Sequence, residues 1–168
     1  CAWKEQEQLL VAMLAKRTHS PITTSMGRLF DAVASMLGLC QVATFEGQAA
    51  MALEQEAMKA SASVQGQDEV YPIVLNSGES GQPRWIADWR PMIERIVADL
   101  SRGTKRPLIA YRFHRTLAEL IGQMAEKVGL RQVVLTGGCF QNALLVDLAR
   151  ERLEAAGFSA LTHREVPA

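Results

Sequence analysis

The stretch that decides the fold is QVVLTGGCFQN, residues 132–142, in which a short apolar run meets two adjacent glycines. Its first part, residues 132–136, predicts a buried strand, and the glycines predict a tight turn into a helix over residues 140–156. A second short strand is predicted over residues 158–161, because a glycine closes the helix just before it. A strand-helix-strand unit implies parallel strands joined by a right-handed crossover. The sequence therefore indicates an α/β fold.

Outward from this unit, apolar residues at helical spacing predict that most of the remaining chain is helical. The predicted helices cover residues 3–16, 25–37, 46–59, 91–100 and 107–128. Residues 70–75 and 84–87 predict two antiparallel strands around a turn-rich segment, and residues 61–68 predict a surface loop. Asp88 is the expected cap of the helix that follows the second of these strands.

The composition of the 168 residues suits one packed domain or a large piece of one, because 48% of them are hydrophobic. Eighteen basic and eighteen acidic residues cancel, so the chain lacks the field that would attract nucleic acid or an anionic membrane. No apolar run is long enough to span a bilayer and no signal peptide is recognisable, which predicts a cytoplasmic protein. The chain begins without Met and stops in a predicted loop, so both ends are expected to be cuts in a longer protein.

Cysteine and histidine usage predicts no metal site. Cys1, Cys40 and Cys139 are widely spaced, form no C-x-x-C pair and lie away from any histidine at zinc-ligand spacing, so reduced thiols are expected. His114 has no second histidine or carboxylate four residues on, which favours a structural role over a metal or general-base role. The residues alone therefore assign no catalytic group and no metal ligand.

The glycine turn is the first candidate binding site. Gly137 and Gly138, between a strand and a helix, would expose backbone N–H groups at a positive helix end, where a phosphate could dock. The alternative is that both glycines only provide positive φ and close packing. Asn142 could direct its amide at a base or a ribose, since an amide both donates and accepts, or it could be a capping or surface group.

Two further candidates lie nearer the N-terminus. Asp31 places a carboxylate among apolar neighbours, where an ionised group needs donors such as ribose hydroxyls or a basic side chain. Its alternative roles are a partner for Arg28 or a solvated helix position. Gly47 stands near a predicted helix start, either for close approach of a ligand or for the geometry of helix entry.

Several segments, in this order and spacing, resemble the C-terminal, carbamoyl-transferring domain of the HypF family. They are TSMGRLFDAVA at 24–34, EGQAAM at 46–51, DWRP at 88–91, RFH at 112–114 and LTGGCFQN at 135–142. The resemblance covers most of the chain. It implies the second lobe of an actin-like, Hsp70-like ATPase (ASKHA) fold, with a mixed sheet flanked by several helices.

Membership of that family implies a large protein in which residues 1–168 form a single partial domain, the nucleotide-binding lobe. The other regions of such a protein are acylphosphatase-like, zinc-finger and carbamoyl-adenylate-forming, and its first transferase lobe binds a divalent metal. The family converts carbamoyl phosphate and ATP into carbamoyl adenylate and passes the carbamoyl group to the C-terminal cysteine of a partner, HypE. HypE dehydrates that group toward the cyanide ligand of nickel-iron hydrogenase. The lobe by itself is expected to bind nucleotide weakly and to catalyse no reaction.

The resemblance also assigns site residues, through the related tRNA threonylcarbamoyl transferases, which share this lobe. Asp31 matches the aspartate that holds ribose hydroxyls, and Asn142 matches an asparagine at the nucleoside end. Gly137 and Gly138 resemble the turn beside the phosphates. Gly47 resembles a glycine beside the nucleotide, although the chain has FEGQ where those relatives have PGGP. Two other functions stay open: a tRNA threonylcarbamoyl transferase-like enzyme, and a non-catalytic lobe that docks HypE.

Overall fold

The helices and strands of the chain are described by a computed structural model that covers residues 2–18, 21–61, 69–78 and 84–162. In chain order they are α1 (Ala2–Ala15), α2 (Met26–Met36), α3 (Gln48–Ser61), β1 (Val74–Ser77), β2 (Trp85–Asp88), α4 (Arg90–Ser101), α5 (Arg106–Val128), β3 (Gln132–Leu135), a 3-10 turn (Gly138–Gln141), α6 (Ala143–Ala155) and β4 (Ser159–Thr162). The first five helices are confirmed, with ends that shift by at most two residues. The predicted loop after α3 lies outside the described residues, except for Ser61. None of the described helices is both long and apolar enough to cross a membrane.

The long helix α5 is the element on which its neighbours pack. It begins at Arg106 with Pro107 in its first turn, where a missing N–H costs no hydrogen bond. It ends where Gly129 adopts a left-handed φ of 75° and donates its N–H to the carbonyl of Ala125 at 2.8 Å. Buried residues occur along its whole length, because both α3 and α6 pack against it. The helix α5 therefore sets the positions of α3 and α6, whose N-terminal ends lie beside the candidate site described below.

Aromatic side chains form the centre of the larger core. Phe30 of α2 and Phe113 of α5 meet edge to face, with ring centroids 5.0 Å apart. Both rings are buried, and such pairs contribute about 0.5–1.5 kcal/mol beyond the burial of their area. The cluster around them also contains Val33, Ala34, Leu37, Ala49, Leu53, Ala57, Tyr71, Met92, Ile96, Ile109, Ala110, Leu117 and Leu145. Helices α2 to α5 thus share one core, to which the start of α6 contributes.

The strands form two separate two-stranded sheets in the part of the chain that is described. β1 and β2 pair antiparallel, with Val74 opposite Asp88, as the sequence predicts. β3 and β4, which precede and follow α6, pair parallel, with Gln132 opposite Ser159. The parallel unit is therefore confirmed. Within the described residues, the mixed strand directions that the resemblance implies are present as one antiparallel pair and one parallel pair.

Two predicted strands differ from the structure in extent or burial. The strand predicted over residues 70–75 begins only at Val74, because Tyr71 donates its backbone N–H to Oγ1 of Thr116 at 2.8 Å instead of joining a ladder. β3 is buried on one face alone: Leu135 packs on the helices, whereas Val134 is 60% exposed. Successive residues of a strand point to opposite faces, and only one face of β3 is covered.

A buried polar cluster fixes α4 against α5. Asp99 of α4 is 3% exposed and accepts hydrogen bonds from the Tyr71 hydroxyl and the Arg112 guanidinium, each at 3.1 Å. Arg112 also pairs with Glu69. Burial, followed by the nearby charge of Asp99, raises the pKa of the Tyr71 phenol, which therefore stays protonated and donates. The guanidinium groups of Arg95 and Arg102 lie within 4 Å of the same carboxylate, so its negative charge is balanced from several sides.

Replacing Phe30 by alanine should lower the free energy of unfolding by about 3–5 kcal/mol, because the change empties the centre of the core. The matched control is Phe45→Ala, since that ring is 54% exposed. Its loss should change stability by only about 0.5 kcal/mol. Urea denaturation followed by circular dichroism measures both, and equal losses for the two variants would contradict the assigned core.

Candidate functional site

A cavity of about 560 Å³ lies between α2, the start of α3 and the turn that precedes α6. Four of the five predicted binding residues line it: Asp31, Gly47, Gly138 and Asn142. They come from segments far apart in the sequence, so the fold itself brings them together. Gly137, the fifth, lines a neighbouring apolar cavity of about 290 Å³ that also touches Gly138.

Asp31 lies on α2 and lines the cavity together with Arg28, which precedes it by three residues. Nη1 of Arg28 is 3.0 Å from Oδ2 of Asp31, so the basic partner considered for this carboxylate is present. The Asp31 side chain is 33% exposed and that of Arg28 is 63% exposed, and an ion pair so close to solvent contributes little stability. The carboxylate is oriented by its partner and can still accept hydrogen bonds from a ligand.

Gly47 provides the entry to α3. Its φ of 81° lies in the left-handed region that favours glycine, and its carbonyl accepts the N–H of Met51 at 2.9 Å. Apart from Gly47 itself and its two chain neighbours, no described residue has a heavy atom within 4 Å of the position that a Cβ would take. The backbone conformation is therefore what requires glycine here, which agrees with the helix-entry alternative. The open space beside it also allows close approach of a ligand.

The glycine turn after β3 has a backbone that few residues can adopt. Gly137 has φ 100° and ψ 164°, a combination that only glycine adopts without strain. The 3-10 turn follows, with the N–H of Phe140 bonded to the carbonyl of Gly137 at 2.9 Å. The first N–H groups of such a turn have no acceptor within it, so those of Gly138 and Cys139 can donate to an anion.

The helix predicted over residues 140–156 begins only at Ala143. Asn142 is its N-cap, which agrees with the capping alternative for this residue. Oδ1 of Asn142 accepts the N–H of Leu145 at 2.8 Å. Oε1 of Glu54, on α3, accepts the N–H of Leu144 at 3.1 Å. An amide oxygen and a carboxylate thus already occupy the positive end of α6. Two N–H groups in the first turn of α6 therefore already have side-chain acceptors, so an anion near this helix end would meet the glycine turn first.

His114 of α5 contacts Asn142 from the side of the core. Nδ1 of His114 lies 2.8 Å from the carbonyl oxygen of Ala110, which can only accept, so Nδ1 carries the ring proton. Nε2 then accepts from Nδ2 of Asn142 at 3.0 Å. Burial lowers the pKa of His114 to about 4, so the ring is neutral at pH 7. The structure agrees with the predicted structural role, and it adds a bond between residues 28 positions apart that no local pattern indicates.

The charged side chains that line the cavity are mostly acidic. One base, Arg28, stands among three acids, Asp31, Glu46 and Glu54. Carboxylates at this density repel phosphate groups, whereas the uncharged base and ribose of a nucleoside meet no such penalty. The lining therefore disfavours a phosphate group more than it disfavours an uncharged polar group.

The described cysteines and acidic residues form neither a reactive-thiol site nor a metal site. Cys40 and Cys139 are free thiols, as predicted, and burial raises the pKa of the Cys139 thiol, which is therefore protonated at pH 7. Cys1 lies outside the described residues. Within the described ranges, no group of three or more His, Cys, Asp or Glu residues is placed to hold a metal ion.

Known proteins that are similar to this chain identify its family. A family model for the second subdomain of the carbamoyltransferase, Kae1-like domain matches residues 1–168. The chain belongs to the HypF carbamoyltransferase family. Among curated relatives, carbamoyltransferase HypF of Synechocystis sp. (strain PCC 6803) is 43% identical over 154 residues, which are 92% of this chain and 19% of the relative.

Solved HypF structures share the fold. Full-length HypF in a phosphate- and nucleotide-bound form matches with a TM-score of 0.82 and 28% identity, over 97% of this chain and 21% of that one. HypF of T. kodakarensis matches with a TM-score of 0.76 and 24% identity, over 96% of this chain and 20% of that one. These matches confirm the α/β class and the predicted HypF transferase-lobe fold. The chain spans about a fifth of the length of these HypF proteins.

The buried, neutral His114 makes stability depend on pH. Its pKa is about 4 in the folded state and 6.5 in an unfolded chain, so only the unfolded state takes up a proton between these values. The free energy of unfolding should therefore fall by about 1.4 kcal/mol per pH unit through this group as the pH drops from 6.5 toward 4. His114→Gln removes the titration and should flatten the slope. Chemical denaturation at a series of pH values measures it, and identical slopes for both proteins would refute the assignment.

The carboxylate of Glu54 should stabilise the start of α6. Glu54→Ala leaves the N–H of Leu144 without this acceptor and should cost about 1 kcal/mol of unfolding free energy. Glu54→Gln keeps an oxygen acceptor and should cost less. The matched control is Gln55→Ala, at an exposed position on the same helix. Urea denaturation measures the three variants; a loss for Glu54→Ala no greater than that of the control would show that the bond contributes nothing.

Proposed function

We propose that this chain forms the nucleoside-binding wall of a HypF carbamoyltransferase that uses ATP and carbamoyl phosphate. The observation that carries the proposal is the shared cavity. Asp31, Gly47 and Asn142, predicted as nucleotide contacts from three separate motifs, all line one space of about 560 Å³. Ligand sites for small molecules have this size. The nucleotide-bound state of the similar full-length HypF supports the same function.

The chemistry of the lining residues suits an adenylate. The Asp31 carboxylate accepts hydrogen bonds from ribose hydroxyls, which are stronger to a charged acceptor than to a neutral one. The Asn142 amide donates and accepts at the nucleoside end. Phosphate oxygens accept from backbone N–H groups at the turn of Gly137 and Gly138. This arrangement keeps the charged end of the ligand at the turn, away from the acidic part of the lining.

The reaction that we infer for the whole enzyme is carbamoyl transfer to a thiol. The thiolate of the C-terminal cysteine of HypE attacks the carbonyl carbon of carbamoyl adenylate, and a C–S bond forms. The bond from that carbon to the phosphate oxygen breaks, and AMP leaves with its electron pair. A thiocarbamate on HypE and free AMP are the products. The contribution of this chain is to hold the adenylate in one position, which converts a chance encounter into an oriented attack.

The family also implies a divalent metal, in a lobe outside this chain. The described residues do not fit that role, because they bring together no set of three His, Cys, Asp or Glu side chains. No step of the proposed chemistry therefore passes through a metal held by the described part of the chain. We assign to it nucleotide contacts alone.

The proposed biological role is the maturation of nickel-iron hydrogenase in the cytoplasm, where the carbamoyl group on HypE becomes a cyanide ligand of iron. The match of the HypF family model to the whole chain favours this role over tRNA threonylcarbamoyl transfer. The zero net charge of the chain also favours it, since RNA binding depends on neutralising phosphates with basic side chains.

Asp31→Asn in the full-length protein should weaken ADP binding by about ten-fold to a hundred-fold, because a charged acceptor for ribose hydroxyls becomes a neutral amide. The matched control is Asp147→Asn, at an exposed position of α6 that does not line the cavity. Calorimetric titration measures the affinity, and carbamoyl transfer to HypE measures the function.

Lost transfer with retained HypE binding in Asp31→Asn would support the chemical role of the cavity. Normal ADP affinity together with normal transfer would overturn the nucleotide-binding proposal. That second result would favour a lobe that docks HypE and does not touch the nucleotide.

A further inference from the structure

We propose that His114 is a positioning residue of the nucleoside site, which fixes the amide of Asn142 in one orientation. The inference rests on the proposed function, because it concerns how Asn142 meets a nucleotide. His114 is fully buried and is absent from the cavity lining, but it contacts two lining residues, Phe30 through its ring and Asn142 through a hydrogen bond. The polar contact is the one through which it would orient a hydrogen-bonding group toward a ligand.

A series of hydrogen bonds with one allowed direction runs from α5 to the cavity. The carbonyl of Ala110 can only accept, so it takes the Nδ1 proton of His114 at 2.8 Å. The neutral ring then offers Nε2 as an acceptor, and Nδ2 of Asn142 lies 3.0 Å from it. A flipped amide would place Oδ1 against Nε2, and two acceptors would face each other.

The N-cap bond requires the same orientation from the other side of the amide. The N–H of Leu145 can only donate, and it lies 2.8 Å from Oδ1 of Asn142. A flipped amide would place Nδ2 against this N–H, so that two donors would meet. Both mismatches would occur at a residue that is only 6% exposed, where water cannot replace the lost bonds.

The aromatic core holds the imidazole ring in place. Its centroid lies 5.5 Å from that of Phe30 and 5.7 Å from that of Phe113, and both contacts are edge to face. With rings packed on it and no exposed surface, His114 cannot turn to a different partner without disturbing the core. The orientation of Nε2, and through it that of Asn142, is therefore a property of the core.

The locked orientation determines what the amide offers to a ligand. Each amide has two N–H groups and two oxygen lone pairs, and the bonds to His114 and Leu145 use one of each. In the proposed site, a ligand meets the remaining N–H and the remaining lone pair of Asn142, which lines the cavity, in a fixed order. A nucleoside edge binds when it presents an acceptor to Nδ2 and a donor to Oδ1. An edge with the donor and the acceptor exchanged does not bind.

The test is a double-mutant cycle on ADP affinity in the full-length protein. His114→Leu removes both ring nitrogens but keeps an apolar side chain, and Asn142→Ala removes the amide. Each single variant should weaken ADP binding by about ten-fold, whereas the double variant should bind within about two-fold of Asn142→Ala. His114→Gln carries an amide oxygen that can accept from Asn142, and it should restore affinity to within about three-fold of the unaltered protein.

If the losses of ADP affinity in the two single variants add up in the double variant, the proposal is overturned. Normal ADP affinity in His114→Leu would overturn it as well. If His114→Leu does not fold, the proposal is tested with His114→Gln and Asn142→Ala by a second measurement. This measurement is the ¹⁵N spectrum of labelled histidine in the ligand-free protein. The signal that disappears in His114→Gln should be that of an Nδ1–H tautomer, and it should shift in Asn142→Ala.

An Nε2–H tautomer for that signal would overturn the proposal whatever the nucleotide data show. A protein that binds no ADP but has the Nδ1–H tautomer and the Asn142-dependent shift would support the bond between the two residues. That result would overturn the proposed nucleotide function instead, so the two failures are distinguishable.

Discussion

The hydrogen bond from Asn142 to His114 is the contact on which the site depends, because it joins the buried centre of the domain to the wall of the cavity. His114 lies among the aromatic rings of the core, while Asn142 begins α6 and lines the cavity. One side chain therefore serves as helix cap, as donor to the core and as proposed ligand contact. Stability and binding are coupled at this residue, since any change in the packing around the ring also reaches the amide.

The distribution of charge gives the cavity two ends of different character. Three carboxylates and one guanidinium line it, which favours an uncharged nucleoside over a phosphate in their company. Glu54 in addition takes an N–H group at the start of α6, so a carboxylate stands where many proteins bind an anion. The glycine turn is thus the proposed place for phosphate contacts, because the first N–H groups of the 3-10 turn after Gly137 have no acceptor within that turn.

Membership of the HypF family gives this arrangement a context. The chain corresponds to one subdomain and spans about a fifth of the length of its relatives. Its described residues line a cavity with polar side chains, beside the packing of α3 and α6 on α5. Binding energy from a surface remote from the reacting atoms can orient a substrate for reaction.

The sequence by itself determined the helices, the parallel strand-helix-strand unit and the candidate residues, because apolar spacing and glycine turns are encoded by near neighbours in the chain. Asp31, Gly47 and Gly138 were predicted from motifs and line the cavity. Only the tertiary structure decided how the site is connected. It joined Asn142 to His114, 28 residues away, and brought Glu54 to the start of α6, 90 residues away. The physical reason is that these contacts join segments that are distant along the chain. The direction of each hydrogen bond also depends on which buried group donates the proton, and the spacing of residues along the chain does not encode that.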